Sequence, residues 1–154
     1  MAQICQWEVK YLDFKITQGK WKLEAERKQA VYAIPVLTTL QQVREFLGAA
    51  GLCRIQIPGF SELARLLYQA LKGEERAPLF WGSNQEKAFK TIKTKLTEAP
   101  ALELTDTSQD FNMFTHKRNG VALGILTQEV GPWQRPVAYL SKLIDSDVAG
   151  WPPC

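Results

Sequence analysis

Apolar positions along this chain change their spacing twice, and each change marks a different kind of structure. From Ile4 to Leu23 the pattern favours strands: Val9, Tyr11, Phe14 and Ile16 mix with polar residues, and Gln18-Gly19-Lys20 supplies a turn before Trp21. A β-hairpin is expected over about residues 7–16 and 20–23. Residues 24–34 are ambiguous, charged at first and apolar later, and Pro35 ends whatever they form. The period then becomes helical. Thr39 is a suitable N-cap with Gln42 at N3, and Leu40, Val43, Phe46, Leu47 and Ala50 follow on one face through Gly51. Pro58-Gly59 interrupts the chain before Leu63, Leu66, Leu67, Ala70 and Leu71 give a second amphipathic helix that stops at Gly73. A third helix is expected from Ser83, with Glu86 as its capping partner and Ala88, Phe89, Ile92 and Leu96 on the inner face. Its other face carries Lys87, Lys90, Lys93 and Lys95, and Pro100 ends it.

Beyond the helices the period returns to that of strands. Phe111 to Thr115 alternates, Lys117-Arg118-Asn119-Gly120 holds an Asn-Gly hairpin signal, Val121 to Thr127 reads as a second strand, and Pro136 to Leu140 as a third. The expected class is α+β: an N-terminal β-hairpin, a small three-helix bundle and a three-stranded antiparallel meander, dividing the chain at 1–35, 36–100 and 101–154. A lone meander leaves an apolar face exposed unless the bundle folds over it.

Composition narrows the possibilities only modestly. The 154 residues, 45% hydrophobic and 10% aromatic, suffice for one ordinary domain or two small ones. A net charge of +3 permits a polyanionic partner without requiring one. Cys5, Cys53 and Cys154 are odd in number and widely spaced, and with a single histidine they make no zinc-site pattern. No basic start precedes an apolar run, and no apolar stretch approaches about 18 residues, so the expectation is an intracellular protein, cytoplasmic or nuclear, without signal peptide or membrane span.

Several longer blocks share one resemblance. Arg44-Glu45-Phe46-Leu47-Gly48, Ile57-Pro58-Gly59-Phe60, Pro100-Ala101-Leu102, Leu126-Thr127-Gln128, the run from Arg135 to Lys142 and Ala149-Gly150-Trp151-Pro152-Pro153 occur in the order found in gammaretroviral reverse transcriptases. The chain therefore resembles the thumb and RNase H-like connection segment of a murine leukaemia virus-like or endogenous retroviral Pol protein. The resemblance implies that residues 101–154 form the first part of an RNase H-like sheet, cut short before its next helix. It also implies a primer-grip hairpin at Lys10, Tyr11, Leu12 and Trp21, where Asp13 replaces the family's glycine. A side chain and a negative charge then stand where backbone would approach a phosphate.

On the thumb-like helix, Arg44, Gly48 and Leu52 fall at i, i+4 and i+8. The resemblance implies that this face tracks the minor groove of a template-primer duplex, with Arg54 nearby and Lys87, Lys90 and Lys93 as further phosphate contacts. The spacing alone favours glycines at Gly48 and Gly51 that permit close helix packing with Arg44 solvated, and a lysine face that is merely solvated.

Catalysis is not expected. Polymerisation or hybrid cleavage needs clustered carboxylates holding two metals, whereas the five aspartates (Asp13, Asp106, Asp110, Asp145 and Asp147) include no adjacent pair. Thr115-His116 stands where the resemblance places a relic Asp-Glu. His116 reads as a surface residue rather than a metal ligand or base, Trp133 and Trp151 as packing anchors rather than base platforms, and Cys53 and Cys154 as unactivated thiols. No catalytic residue, metal or cofactor is assigned. The expected function is weak, salt-sensitive and sequence-independent contact with an RNA/DNA or DNA duplex, alone or beside the rest of a reverse transcriptase. The alternatives are a domesticated retroviral remnant that pairs with another protein through its exposed sheet, or a translated relic with no selected function.

Overall fold

The structure is a computed structural model that describes residues 6–12, 14–72 and 78–145. Strands β1 (Glu8–Tyr11), β2 (Phe14–Thr17) and β3 (Lys20–Leu23) form an antiparallel meander, which β4 (Leu102–Glu103) extends to four strands by pairing with β3. The two-stranded hairpin expected from the sequence is thus corrected: its first arm breaks in two. Leu12 takes a left-handed φ of 45° and reverses the chain, and Gln18 and Gly19, at φ 49° and 73°, reverse it again. Positive φ at tight hairpin turns matches the twist of the flanking strands, and nothing in the apolar pattern marks a leucine for that role.

Four α-helices follow among the described residues rather than three. The ambiguous stretch forms α1 (Ala25–Ala33), whose Val31 alone is buried, and Ile34 before Pro35 ends it. Helix α2 (Leu40–Leu52) opens with the expected capping box: the Gln42 N–H donates to Thr39 Oγ1 at 3.2 Å, and Gln42 Oε1 accepts from the Thr39 N–H at 3.3 Å. A short 3₁₀ turn, Arg54–Gln56, and Gly59 at φ 69° lead into α3 (Phe60–Ala70). Helix α4 (Ser83–Glu98) is capped differently from expectation. Gly82, not Ser83, is the N-cap, with its N–H donating to Gln85 Oε1 at 3.2 Å. Glu86 is unavailable for capping because it accepts the Trp81 indole N–H at 2.7 Å and pairs with Lys90.

One core joins these pieces. Leu23 of β3 and Val31 of α1 are buried with Val43, Phe46 and Leu47 of α2, Ala64 and Leu67 of α3, and Phe89, Ile92 and Leu96 of α4. Phe46 meets Phe89 edge-on with ring centroids 4.8 Å apart. Two lysines tie the ends of α1 and α4 reciprocally. Lys28 of α1 donates to the carbonyls of Thr97 and Ala99 at the end of α4, and Lys93 of α4 donates to the carbonyl of Ile34 at the end of α1. Each supplies a cation where terminal carbonyls lack helical partners.

The second sheet runs β5 (Asn112–Arg118), β6 (Val121–Val130) and β7 (Trp133–Leu143), all antiparallel. Its strands are longer than predicted, but the Asn-Gly turn is where expected, with Asn119 and Gly120 at φ 50° and 73°. Pro136 lies in the edge strand beside a register shift at Leu126/Thr127, where a missing N–H costs little. The bundle covers part of this sheet. The Ser61 N–H donates to Ser141 Oγ at 2.9 Å, Ser61 Oγ donates to the Ser141 carbonyl at 2.7 Å, and Arg118 pairs with Glu62 at 2.7 Å. Glu103 links the two sheets, pairing with Arg135 of β7 at 2.7 Å and Lys20 of β3 at 3.5 Å. The remaining row, Phe114, Ile125 and Tyr139, stays partly open, with Phe114 55% exposed.

Two expectations follow. Gln56 is fully buried, and neither of its amide atoms has a hydrogen-bond partner among the described residues. Gln56→Met, which keeps the volume and removes the unpaired amide, should raise the unfolding free energy by roughly 1–2 kcal/mol in urea titration; a loss would show that the amide is satisfied. The hydrogen bonds from Arg118 and Asn119 hold the Glu62 carboxyl below the usual carboxylate range. A carboxyl depressed by folding stabilises fully above its ordinary pKa and loses that stabilisation as pH falls through the folded value. Stability should therefore decline on acidification below about pH 4.3, and Glu62→Gln should make that decline shallower in denaturant titrations across the acid range.

Candidate nucleic-acid interface

The burial of α2 divides its residues into two sets. Val43, Phe46, Leu47 and Ala50 face the core, so Arg44, Gly48 and Leu52, one and two turns apart, are turned outward. Leu52 is 70% exposed. At Gly48 and at Gly51 an added Cβ would meet nothing within 4 Å. Neither glycine therefore sits in a close helix approach among the described residues, and the packing explanation for them has no contact behind it. Arg54 follows, exposed, in the 3₁₀ turn just past the end of α2.

The lysines of α4 separate into two environments. Lys87 and Lys90 border a shallow depression of about 490 Å³ formed by α4 alone, and Lys90 pairs with Glu86 at 3.1 Å. Lys93 does not join them. Its ammonium donates to the Ile34 carbonyl at 2.7 Å and lies 4.9 Å from the Phe89 ring centroid and 5.4 Å from that of Tyr32. Burial lowers its pKa. The single solvated lysine face read from helical spacing is corrected on this point: α1 packs along α4 and takes Lys93 into the seam.

At the N-terminal sheet, Tyr11 and Leu12 project at the β1–β2 turn, 62% and 73% exposed. Lys10 forms an ion pair with Glu24, whose hydrogen bond raises the lysine pKa. Trp21 is half-buried, edge-on to Phe14 with centroids 4.8 Å apart, and is a packing residue in this sheet. The expectation for Asp13 lies outside the described residues, as do those for Trp151, Cys5, Cys154 and Asp147.

Among the described residues no group of three His, Cys, Asp or Glu side chains could hold a metal ion. Asp106 has its carboxyl occupied by Ser108 and Gln109, hydrogen bonds that lower its pKa. Gln128, buried, braces the same loop by donating to the Asp106 carbonyl at 2.7 Å. His116 is exposed on β5, and Cys53 is buried. Trp133 is 69% exposed, so the packing role expected of it is corrected: it lies at the open end of β7. No described helix is long and apolar enough to cross a membrane. The sequence reading missed the Lys28–Lys93 reciprocity and the Glu62–Arg118 and Glu103–Arg135 ties, because none has a local sequence signal.

Similarity to known proteins gives this geometry a context. Residues 81–154 match the family described as an RNase H-like domain found in reverse transcriptase. The chain is 52% identical to the Gag-Pol polyprotein of avian reticuloendotheliosis virus, over 99% of this chain and 13% of that protein. It is 51% identical to the Gag-Pol polyprotein of gibbon ape leukemia virus, over 99% of this chain and 9% of that protein. Among solved structures, the foamy viral protease-reverse transcriptase in complex with dsDNA superposes with a TM-score of 0.86 at 26% identity, covering 96% of this chain and 31% of that one. The same enzyme in complex with an RNA/DNA hybrid gives 0.82 at 26% identity, covering 92% and 19%. The chain thus spans less than a third of each of these relatives.

The two lysine environments are separable by substitution. Lys93→Met, which keeps the stem but removes the charged hydrogen bond, should lower unfolding free energy by about 1.5–3 kcal/mol. Lys87→Ala should stay within about 0.5 kcal/mol of the starting protein. Urea denaturation followed by circular dichroism measures both.

Proposed function

We propose that this chain, whose residues 81–154 match the RNase H-like domain found in reverse transcriptase and which aligns along 99% of its length with a retroviral Gag-Pol polyprotein, grips a nucleic-acid duplex without reading its sequence. In this reading residues 1–35, 36–100 and 101–154 serve as grip, thumb and connection of a reverse transcriptase. The observation that carries it is the outward stripe of α2, where Gly48 leaves open space between Arg44 and Leu52.

The chemistry of that stripe suits a groove. A glycine on an exposed helix face is costly to the helix, by roughly 0.5–1 kcal/mol against alanine, so an unoccupied glycine without an internal packing contact calls for an external one. Backbone at Gly48 can approach the sugar edges of a duplex, Leu52 can rest on the groove wall, and Arg44 and Arg54 can donate to phosphates or groove edges. Lys87 and Lys90 would add phosphate contacts from α4, whereas Lys93 has no part in them. The solved relatives in complex with dsDNA and with an RNA/DNA hybrid support the class of ligand. No step of catalysis is assigned to this chain; among its described acidic residues, Glu62, Glu86, Glu103 and Asp106 are engaged in hydrogen bonds and ion pairs.

A second reading, a protein-binding sheet, is favoured by the exposure of Met113, Phe114 and Trp133. Salt separates the two, since phosphate contacts weaken as a power of salt concentration and apolar contacts do not.

The test is a gel shift with an RNA/DNA hybrid across a salt series. Arg44→Ala combined with Arg54→Ala should reduce the slope of log affinity against log salt by about 1.8, two duplex phosphate contacts. Gly48→Leu should hold or raise thermal stability while weakening the hybrid about tenfold or more, because it removes a helix-breaking residue and fills the approach space. Undiminished hybrid binding by Gly48→Leu would sink the assigned face.

A further inference from the structure

Helix α3 has no cap of its own. Its N-cap residue is Gly59, at φ 69° and with no side chain to offer, whereas Thr39 caps α2 from its own N-cap position. The N–H groups in the first turn of a helix have no acceptor inside it. Those of Phe60 and Glu62 are met locally, by the carbonyls of Ile57 at 3.3 Å and Gly59 at 3.0 Å. The Ser61 N–H is met from the second sheet instead: it donates to Ser141 Oγ at 2.9 Å, while Ser61 Oγ donates to the Ser141 carbonyl at 2.7 Å. A capping side chain accepts from the second or third residue of a helix. Ser61 is the second residue of α3, so a serine 80 positions away fills the capping place. The same turn meets the same sheet face at two further points. Glu62 accepts from Arg118 at 2.7 Å and from Asn119 at 3.3 Å, and a Cβ added at Gly59 would lie 3.9 Å from Leu123. Leu123 is the cross-strand partner of Ser141 and Val121 that of Arg118, and residues two apart on β6 point to one face.

We infer that the second sheet docks and the first turn of α3 forms in one event, with Ser141 as the helix cap, and that this event sets the place of Arg54. Gly59, Ser61 and Glu62 belong to a single turn, so their contacts with the sheet are made and lost together. The sheet reaches the helices through β7, which lies against α3 and the 3₁₀ turn, and among the described residues it gives no side chain to the buried cluster that joins the helices to β3. Arg54 opens that 3₁₀ turn, between the end of α2 and Gly59. Ser141 is therefore a positioning residue for Arg54, acting through the turn and not on nucleic acid. The part that concerns Arg54 rests on the duplex reading; the cap does not.

Amide hydrogen exchange read by NMR on the full chain tests the cap. In the starting protein the Ser61, Glu62 and Leu63 amides should exchange about tenfold or more faster than that of Leu67, deeper in α3, because the turn opens with the sheet while the bundle stays folded. Ser141→Ala should speed the Glu62 and Leu63 amides, which bond to the Gly59 carbonyl and not to Ser141, about fivefold, the size of a lost cap. Ser141→Thr keeps the hydroxyl and should stay within about twofold of the starting rates. Arg118→Ala, on a different strand from Ser141, should speed the Ser61 amide about twofold. The inference is overturned if the three amides exchange as slowly as Leu67, if Ser141→Ala leaves Glu62 and Leu63 unchanged, or if Arg118→Ala leaves Ser61 unchanged. A gel shift with the RNA/DNA hybrid reads the Arg54 part. Ser141→Ala should weaken binding severalfold in the starting protein and no further in Arg54→Ala, and equal weakening in both backgrounds sinks that part. Absence of hybrid binding in the starting protein sinks the duplex reading alone, and the exchange rates still decide the cap.

Discussion

The orientation of the helices depends on the burial of one face of α4, which packs along α3 and α1 and meets α2 through the Phe46–Phe89 ring contact. Phe89 sits edge-on to Phe46, with the Trp81 ring centroid 5.9 Å from its own, and Ile92 and Leu96 are buried in the same core. Large aromatic side chains in such contacts contribute both area and a preferred orientation, so α2 cannot rotate about its axis without breaking the ring contact. That constraint turns Arg44, Gly48 and Leu52 outward. The same packing draws α1 onto α4, and in doing so converts Lys93 from a surface charge into a cap on a neighbouring helix.

Polar contacts then set how the second sheet sits on the bundle. Ser61 and Ser141 exchange two hydrogen bonds, and Glu62 receives both Arg118 and Asn119 from the β5–β6 turn. Isolated surface ion pairs contribute little to stability, but these lie on opposite units and fix orientation. Their effect is to leave part of the sheet open beside α3 instead of a closed interface. Gln56 runs against this economy, a buried amide without a partner among the described residues, and the structure offers no reason for it.

The duplex reading proposed for this arrangement is a matter of shape and charge. In that reading the open space at Gly48 and the side chains of Arg44 and Arg54 hold a polymer in place, which requires no reactive side chain.

The sequence by itself determined the helical spacing of α2, its Thr39–Gln42 cap, the Asn119–Gly120 turn and the class of the fold, because each is written within a few neighbouring residues. It also carried the family resemblance and the outward stripe of α2. Only the tertiary structure decided which lysines of α4 meet solvent, that Trp21 packs while Trp133 does not, that residues 102–103 complete the first sheet, and that Ser61 and Glu62 dock on Ser141 and Arg118. Helical and strand periods report which side of an element is apolar, but they say nothing of what lies opposite. Contacts between residues tens of positions apart arise from how elements dock, and a leucine at positive φ, as at Leu12, is imposed by the strands on either side of it.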